Sequence, residues 1–576
     1  MVKVFSAVLG YVVLCLASSV VAAKDCHCLP GDSDGCWPGV DKWNALNSTV
    51  GGKLVKVVPI GAVCHDPTYD EAACTALKAN WDEVETHYNS VSSLMTAYMT
   101  GQTCDPFTAR ETPCTIGNYT AYTVDADNVD HVKATLSFAK TNNIRFVVHN
   151  TGHDFWGRSI GAGALALRIS NFKDNSVLNW NDASYTGPAF KLGAGMMGFE
   201  AEQALEPHGY VMVAGYCTSV APAGGYTQAG GHSPLSSNFG MAADQTLEYE
   251  IVTADGQLVK ASRTEHPDLF WALNGGGAGT WGVVVSMTVR VYPQATMGAA
   301  QMFIDPTSMS QDAFWAMVDK FYSLIPSFTD QGAYITYAFG PSHFGLFPFS
   351  AYNKTAAQVE LMLKPFTDYL AANSITPLFT VYNDSPTYLQ HVTTNFAKSQ
   401  PTKEWPSGGR LMPREVLEDP TRRASLVSVM RRIVATGALT SSTSLHPVDR
   451  TGNPTSLHPA WRDAHALVIM TWPWENNAKD KMESKVEMFA NELSPLLVEV
   501  APESGSYSNE ADMFMKGWRK EMYGPNWARL VAVKEKYDPT GVFWSWHTPG
   551  ADNWHVDQAS GRMCRRSCRQ RPFKFQ

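Results

Sequence analysis

Glycine gathers in three blocks between residues 150 and 282, and no helix or strand accounts for so many. The first runs from Asn150-Thr151-Gly152-His153-Asp154 through Gly157 and Ser159 to Gly161 and Gly163. The second begins Gly215-Tyr216-Cys217-Thr218-Ser219-Val220, passes Gly224-Gly225 and reaches Gly230-Gly231-His232-Ser233-Pro234, Ser237 and Gly240. The third is Gly275-Gly276-Gly277-Ala278-Gly279-Thr280-Trp281-Gly282. Without a Cβ the backbone can approach a ligand closely, and successive amides can cradle an anion such as a pyrophosphate. The flanking pattern is α/β. Val129, Val132, Leu136 and Ala139 form one helical face ahead of a buried strand over 144–148, which runs straight into the first block. A strand over 164–169 leaves that block, and another over 283–291 leaves the third.

Two glycine spacings formally match the dinucleotide fingerprint, and neither has its setting. Gly277-x-Gly279-x-x-Gly282 stands after a helix and before a strand, the reverse of the required order. Gly193-x-Gly195-x-x-Gly198 has no acidic residue about twenty positions on to hold a ribose. A nicotinamide-binding Rossmann site is therefore not expected.

Charge narrows the partners: 45 basic against 54 acidic side chains give a formal net charge of −9, which excludes a nucleic-acid binder held by bulk positive charge. With 44% hydrophobic and 17% charged residues over 576 positions, the chain can bury a large core divided among domains. Lys3 precedes an apolar run from Val4 to Leu16 that ends in Ser18-Ser19-Val20-Val21-Ala22-Ala23, and this reads as a secretory leader cut near Ala22 or Ala23. The alternative is an uncleaved anchor, for which the run falls short of the ~20 residues a span needs. No later segment is long and apolar enough to cross a bilayer, so no stable membrane association is expected.

Eleven cysteines less Cys15 of the leader leave ten for an oxidising compartment. Cys26, Cys28, Cys36, Cys64, Cys74, Cys104 and Cys114 crowd the N-terminal part, Cys564 and Cys568 lie in the tail, and Cys217 stands apart from all of them. Cys64 with Cys74 and Cys104 with Cys114 are short-loop disulfide candidates, although connectivity does not follow from spacing. A zinc site at Cys26-x-Cys28 is the weaker alternative, because no second pair follows at finger spacing. Sequons at Asn47, Asn118, Asn353 and Asn383 suit a secreted glycoprotein, with Pro386 close behind the last.

The order NTGHDF, GYCTSV, AGGYTQAGGHSPLSS, AADQTLEYEIVTADG, DLFWALNGGGAGTWGVV resembles the FAD-binding domain of the vanillyl-alcohol-oxidase superfamily, and in particular the secreted fungal berberine-bridge-enzyme-like oxidases. Tyr507-Ser508-Asn509-Glu510-Ala511-Asp512, with Tyr523-Gly524-Pro525-Asn526-Trp527 and Lys536-Tyr537-Asp538-Pro539, is similar to their C-terminal closing motif. The resemblance covers about residues 110–554. It implies an α+β fold: a two-part PCMH-type FAD-binding domain, 113–294 and 507–554, plus an α+β substrate domain, 295–506, with an antiparallel sheet. Residues 1–23 are then the leader, 24–112 a Cys-rich extension that decorates the fold and carries a helical stretch over 69–88, and 555–576 a basic tail.

The same resemblance implies roles. His153 matches the histidine bonded to the flavin 8α-methyl group, and Cys217 the cysteine bonded to flavin C6, so FAD is expected to be bicovalent. Asn150, Thr151, Gly152, Asp154, Ser159, Gly224, Gly225, Gly230, Gly231, His232, Ser233, Ser237, Val252 and Asn526 are the further cofactor-binding candidates. Val220, three residues after Cys217, matches the position where oxidases carry a small side chain over the flavin. The family's Val-Gly-x-Gly is replaced by Val220-Ala221-Pro222-Ala223, which alters the local loop. Glu510 is the candidate base, at a position where carbohydrate-oxidising relatives carry a tyrosine, with Tyr507 and Asp512 as rivals. Aromatics of the substrate domain are core or pocket lining: Tyr337 with Phe339, or Trp472 with Trp474, share a strand face. His446 and His458 are read as structural, and no metal site is expected. Together these imply a secreted, monomeric covalent-flavin oxidase of alcohols, phenolics or natural-product intermediates that uses O2 and releases H2O2. The alternatives are a carbohydrate oxidase or a non-catalytic binding protein on the same fold.

Overall fold

A computed structural model describes residues 26–31, 35–396, 404–476, 478–557 and 562–566. The leader over 1–23 and Cys568 lie outside the described residues.

The helix Val129–Thr141 starts where the Asn128 side chain accepts from His131 N, and it buries Val132, Leu136 and Ala139. It ends as Ile144 N donates to Ala139 O with Asn143 at φ +52°, so the next strand begins at Phe146, two residues later than the apolar run suggests. That strand, Phe146–His149, pairs in parallel with Leu165–Arg168, which pairs in parallel with Tyr122–Asp125. The first glycine block therefore joins two adjacent parallel strands at their ends. A second, antiparallel sheet has the order Asn175–Asn181, Thr186–Gly193, Val283–Arg290, Thr246–Val252, Leu258–Ser262, and the two sheets share one core.

The N-terminal region is more than decoration. Leu54–Lys56 is the outer strand of the first sheet, antiparallel to Tyr122–Asp125. Trp43, Leu46 and Val50 lie in the shared core, with Trp43 stacked on Tyr122 at 4.1 Å. The stretch over 69–88 is two helices, Glu71–Ala79 and Val84–Tyr88, because Asn80 Nδ2 donates back to Ala76 O and Asn80 O accepts from Thr86 Oγ1. Disulfides join Cys28 to Cys36, Cys64 to Cys74 and Cys104 to Cys114. Cys26 pairs with Cys564, 538 residues away. Both cysteines of the CxC thus belong to disulfides, which excludes zinc there. The start of the tail is a folded hairpin, Trp554–Val556 with Met563–Arg565.

The remaining sheet is antiparallel, in the order Phe379–Ser385, Met297–Ile304, His343–Tyr352, Ala333–Gly340, Ser442–Ser444, Ala464–Pro473, Glu404–Pro413, with Leu439–Thr440 also on Ala464–Pro473. Strand alternation divides its residues between two faces. Ala333, Ile335, Tyr337 and Phe339 pack with residues of the helices Gln311–Asp330 and Ala356–Ala372, Tyr337 meeting Phe321 and Phe339 meeting Trp315. Trp472 lies on this face against Phe489, and Trp474 packs near Tyr98. These four aromatics are core residues, and the pocket-lining option is corrected. Tyr334, Leu411 and Leu467 face the other way, onto Ala229 and Leu235 of the second glycine block and Met241 just after it. The sheet thereby roofs the loops. Among the described residues no helix is long and apolar enough to cross a membrane.

The Cys26–Cys564 bond holds the C-terminal hairpin to the N-terminal region. Removing such a bond typically costs about 2–5 kcal/mol. Cys26→Ser with Cys564→Ser should lower the melting temperature and expose the hairpin to proteolysis before the rest of the chain, read by mass spectrometry of limited digests.

Candidate functional site

The first glycine block owes its shape to its neighbours. Gly152 has φ +82°, and a Cβ there would stand 2.9 Å from Ser93 O, so residues of the N-terminal region press directly on this loop. Met95 N donates to Gly152 O at 3.1 Å. Asp154 accepts from Ser159 N, Ser159 Oγ and Trp156 N, which winds 154–159 into a tight turn. Asn150 Nδ2 donates to Ala194 O, and Ser170 Oγ donates to the Asn150 side chain. Asn150 and Asp154 thus line the cavity while also bracing its walls.

His153 and Cys217 meet across the first two blocks. Ser219 Oγ is 2.7 Å from His153 Nε2, and Cys217 Sγ is 3.9 Å from the same nitrogen and 3.8 Å from Ser219 Oγ. Cys217 is buried and belongs to none of the four disulfides among the described residues. Burial, with His87 adding a smaller effect, lowers the His153 pKa to about 4. The imidazole is therefore neutral at any ordinary pH and keeps a nitrogen lone pair for bonding. In the same cavity a Cβ at Gly224 would meet only Asn150 Nδ2 at 3.7 Å, so the wall there is bare backbone. Val220, Gly225, Ala278 and Gly279 continue the wall. The third block is tied to the closing segment by Lys534, buried and lowered in pKa by desolvation, which donates to Thr280 O, Phe543 O and Asp538.

The closing segment shuts the cavity. Asn509 Nδ2 donates to Gly225 O and to Tyr507 Oη, while Arg158 donates to Asn509 Oδ1 and Ser508 O. Glu510 lines the cavity and accepts from His232 Nε2, at 3.1 and 3.3 Å from its two oxygens. His232 Nδ1 is 3.0 Å from Tyr334 Oη. Tyr507 is 3% exposed, sits edge-on to His232 at 5.6 Å, and has its pKa raised by burial. Asp512 turns inward: it is 3% exposed, accepts from Phe514 N, is pushed up to about 6 by burial and is not on the cavity wall. It braces the segment, which leaves Glu510 and Tyr507 as the groups that reach the cavity.

Several candidates lie outside that wall. Side chains at Gly230 and Gly231 would collide with Leu457 and the Tyr226 ring, so these glycines serve packing between segments. Ser233 Oγ accepts from Leu235 N. Ser237 Oγ donates to Ala333 O and accepts from His446 N, joining the glycine block to the roofing sheet. Val252 is buried in its strand, behind Gly282. Asn526 Nδ2 donates to Ser456 O and Leu457 O. His458 holds Ala460 N and Lys520 O, as a structural histidine does. His446 lies with Asp330 and His465 in a cluster of potential ligand atoms, yet both Asp330 oxygens accept from Arg414 at 2.6 and 2.8 Å, which makes it an ion-pair network.

Sequence reasoning missed Arg158, Ser219, Tyr334 and Asn509. Ser219 and Asn509 stand within quoted motifs, and their polarity beside Cys217 and Glu510 was a usable signal. Tyr334 was legible only once the face of its strand was known.

The residues fit a flat ring system with a phosphate-bearing tail: an imidazole nitrogen and a sulfur side by side, with Gly224 and Gly225 and the positive-φ Gly152 and Gly279 lining the same cavity. The FAD binding domain family model matches residues 120–262, and the berberine and berberine-like model matches residues 506–547. The FAD-linked oxidoreductase ZEB1 of Gibberella zeae is 38% identical over 570 residues, covering 98% of each chain. The VAO-type flavoprotein oxidase VAO615 of Thermothelomyces thermophilus is 37% identical over 560 residues, covering 94% of this chain and 96% of its own. The crystal structure of the VAO-type flavoprotein MtVAO615 at pH 5.0 from Myceliophthora thermophila C1 superposes with a TM-score of 0.89 at 36% identity, covering 94% of this chain and 100% of that one.

A Cβ at Gly152 would pay both for the left-handed backbone, about 1–2 kcal/mol, and for the approach to Ser93 O. Gly152→Ala should therefore purify with markedly less flavin per protein, read from the absorbance ratio, while circular dichroism remains that of the parent.

Proposed function

The chain belongs to the berberine-bridge-enzyme-like FAD-linked oxidoreductases of the vanillyl-alcohol-oxidase superfamily, and from this premise we propose that it is a secreted, monomeric oxidase with FAD bonded to both His153 and Cys217. That it is an FAD-dependent oxidoreductase follows from its relatives. The observation that carries the finer reading is the approach of the neutral His153 imidazole and the Cys217 sulfur to 3.9 Å where both line the cavity. Four disulfides support residence outside the reducing cytosol.

FAD, when bound, would supply the acceptor for a hydride from a substrate C–H bond and the two electrons that reduce O2, with the hydride-derived proton and the proton removed from the substrate oxygen completing H2O2. The chain supplies the rest. The glycine loops and the roofing sheet exclude water. Val220, with a short side chain on the wall, leaves room for O2. Glu510 takes the proton from the substrate oxygen, the one carboxylate of the closing motif that faces the cavity. Tyr216, stacked on Phe396 at 4.9 Å, with Tyr226 and Tyr507, makes an aromatic surround that favours alcohols of phenolic or natural-product type.

Two measurements test this. Intact masses of denatured His153→Ala and Cys217→Ala proteins should each retain FAD, and the double variant should lose it; a Cys217→Ala protein with the parent absorption spectrum removes the second bond. Peroxide release should then be scored on benzyl alcohol, vanillyl alcohol, hydroxylated lactones, glucose and cellobiose. Absence of peroxide from every compound, in a fully flavinylated protein, would refute the oxidase reading for these classes.

Loss of a general base typically slows the chemical step ~10²–10⁴-fold. Glu510→Gln should reduce its flavin that much more slowly with the best compound of the panel, at unchanged flavin content. A near-parental rate would make Glu510 a brace and pass the role to Tyr507.

A further inference from the structure

Glu510 is the end of a hydrogen-bonded chain that draws on three separate parts of the fold. Glu510 comes from the closing segment, His232 from the second glycine block, and Tyr334 from the roofing strand Ala333–Gly340. His232 Nε2 lies 3.1 and 3.3 Å from the carboxylate oxygens, and its Nδ1 lies 3.0 Å from the Tyr334 hydroxyl. A carboxylate only accepts, so Nε2 carries the hydrogen and donates to Glu510. In the neutral ring Nδ1 then has no hydrogen and accepts from Tyr334 O–H. The hydroxyl thereby selects the tautomer of the ring, much as an outer partner orients a metal-bound histidine.

The surroundings keep this arrangement in place. Tyr334 is fully buried, and burial raises its pKa well above the usual phenol value, so it remains an O–H donor. The His232 ring is 6% exposed and is flanked by Tyr507 edge-on at 5.6 Å and by Trp461 at 6.4 Å. Replacing the hydroxyl by hydrogen would leave Nδ1 without that donor and admit the other tautomer, whose Nε2 lone pair faces the carboxylate. Two lone pairs would then face each other, and Glu510 would turn away from the ring. We propose that Tyr334, acting through His232, is a positioning residue that holds the Glu510 carboxylate in its base-competent orientation. This rests on Glu510 being the proton acceptor.

The test is single-turnover flavin reduction in the flavinylated holoenzyme, followed by stopped flow with the panel compound of highest peroxide yield. Tyr334→Phe, Glu510→Gln and the double variant are compared. Tyr334→Phe should lower the limiting reduction rate roughly 10–100-fold, the usual effect of losing an outer hydrogen-bond partner. Flavin content and the substrate dissociation constant should not change. In the Glu510→Gln background the Tyr334→Phe effect should disappear, because the two act as one unit. An equal loss in both backgrounds overturns the relay and makes Tyr334 a packing residue. A parental rate in Glu510→Gln alone removes the base assignment, and the relay with it, whatever Tyr334 does. If Tyr334→Phe does not fold, His232 provides the second route: His232→Gln keeps an N–H for Glu510 and should reduce its flavin clearly faster than His232→Ala, and equal rates for the two overturn the proposal.

Discussion

The side-chain amide of Asn509 is the junction on which the cavity depends. It donates to Gly225 O, 284 residues away, and its oxygen accepts from Arg158, 351 residues away. One side chain from the closing segment thus ties the first two glycine loops together. Loops rich in glycine lose much conformational freedom on ordering, about 1–2 kcal/mol per residue of backbone. They hold a shape only where partners over-determine it. Here those partners are Asn509, the Asp154 turn, Lys534 on Thr280 O, and the Ser93 carbonyl behind Gly152.

The chemistry follows from what this scaffold does to a few groups. Burial strips His153 of its proton and leaves a nucleophilic nitrogen beside a thiol. The same burial keeps Tyr334 and Tyr507 as phenols, so neither competes as an anion. Asp512, two residues beyond Glu510, is drawn inward and has its pKa raised to about 6. Neighbouring carboxyls in one motif therefore carry different duties, one facing the cavity and one locking the segment.

The N-terminal region is part of this scaffold. It supplies an outer strand, a Trp43 anchor in the shared core, and the carbonyl that forces glycine at position 152. The Cys26–Cys564 bond then secures both ends of the described chain to each other. A rigid outer frame lets the inner loops be almost pure backbone.

Much of this was legible in the residues themselves. The glycine blocks, the apolar face of Val129–Thr141 and the isolation of Cys217 are local properties of the chain and were read from it directly, while the α+β class, the FAD site and the roles expected of His153 and Cys217 came from the resemblance of the NTGHDF and closing motifs to a known family. The short-loop disulfides Cys64–Cys74 and Cys104–Cys114 were visible as local properties too. Non-local placement was not. Whether Tyr334 or Tyr337 faces the glycine loops depends on which side of the sheet the helices Gln311–Asp330 and Ala356–Ala372 cover. That Ser237 and Asn526 hold neighbouring segments, that Cys26 reaches Cys564, and that His232 meets both Glu510 and Tyr334 are decided by contacts between parts 70 to 538 residues apart. Periodicity carries no information about such contacts, and only packing sets them.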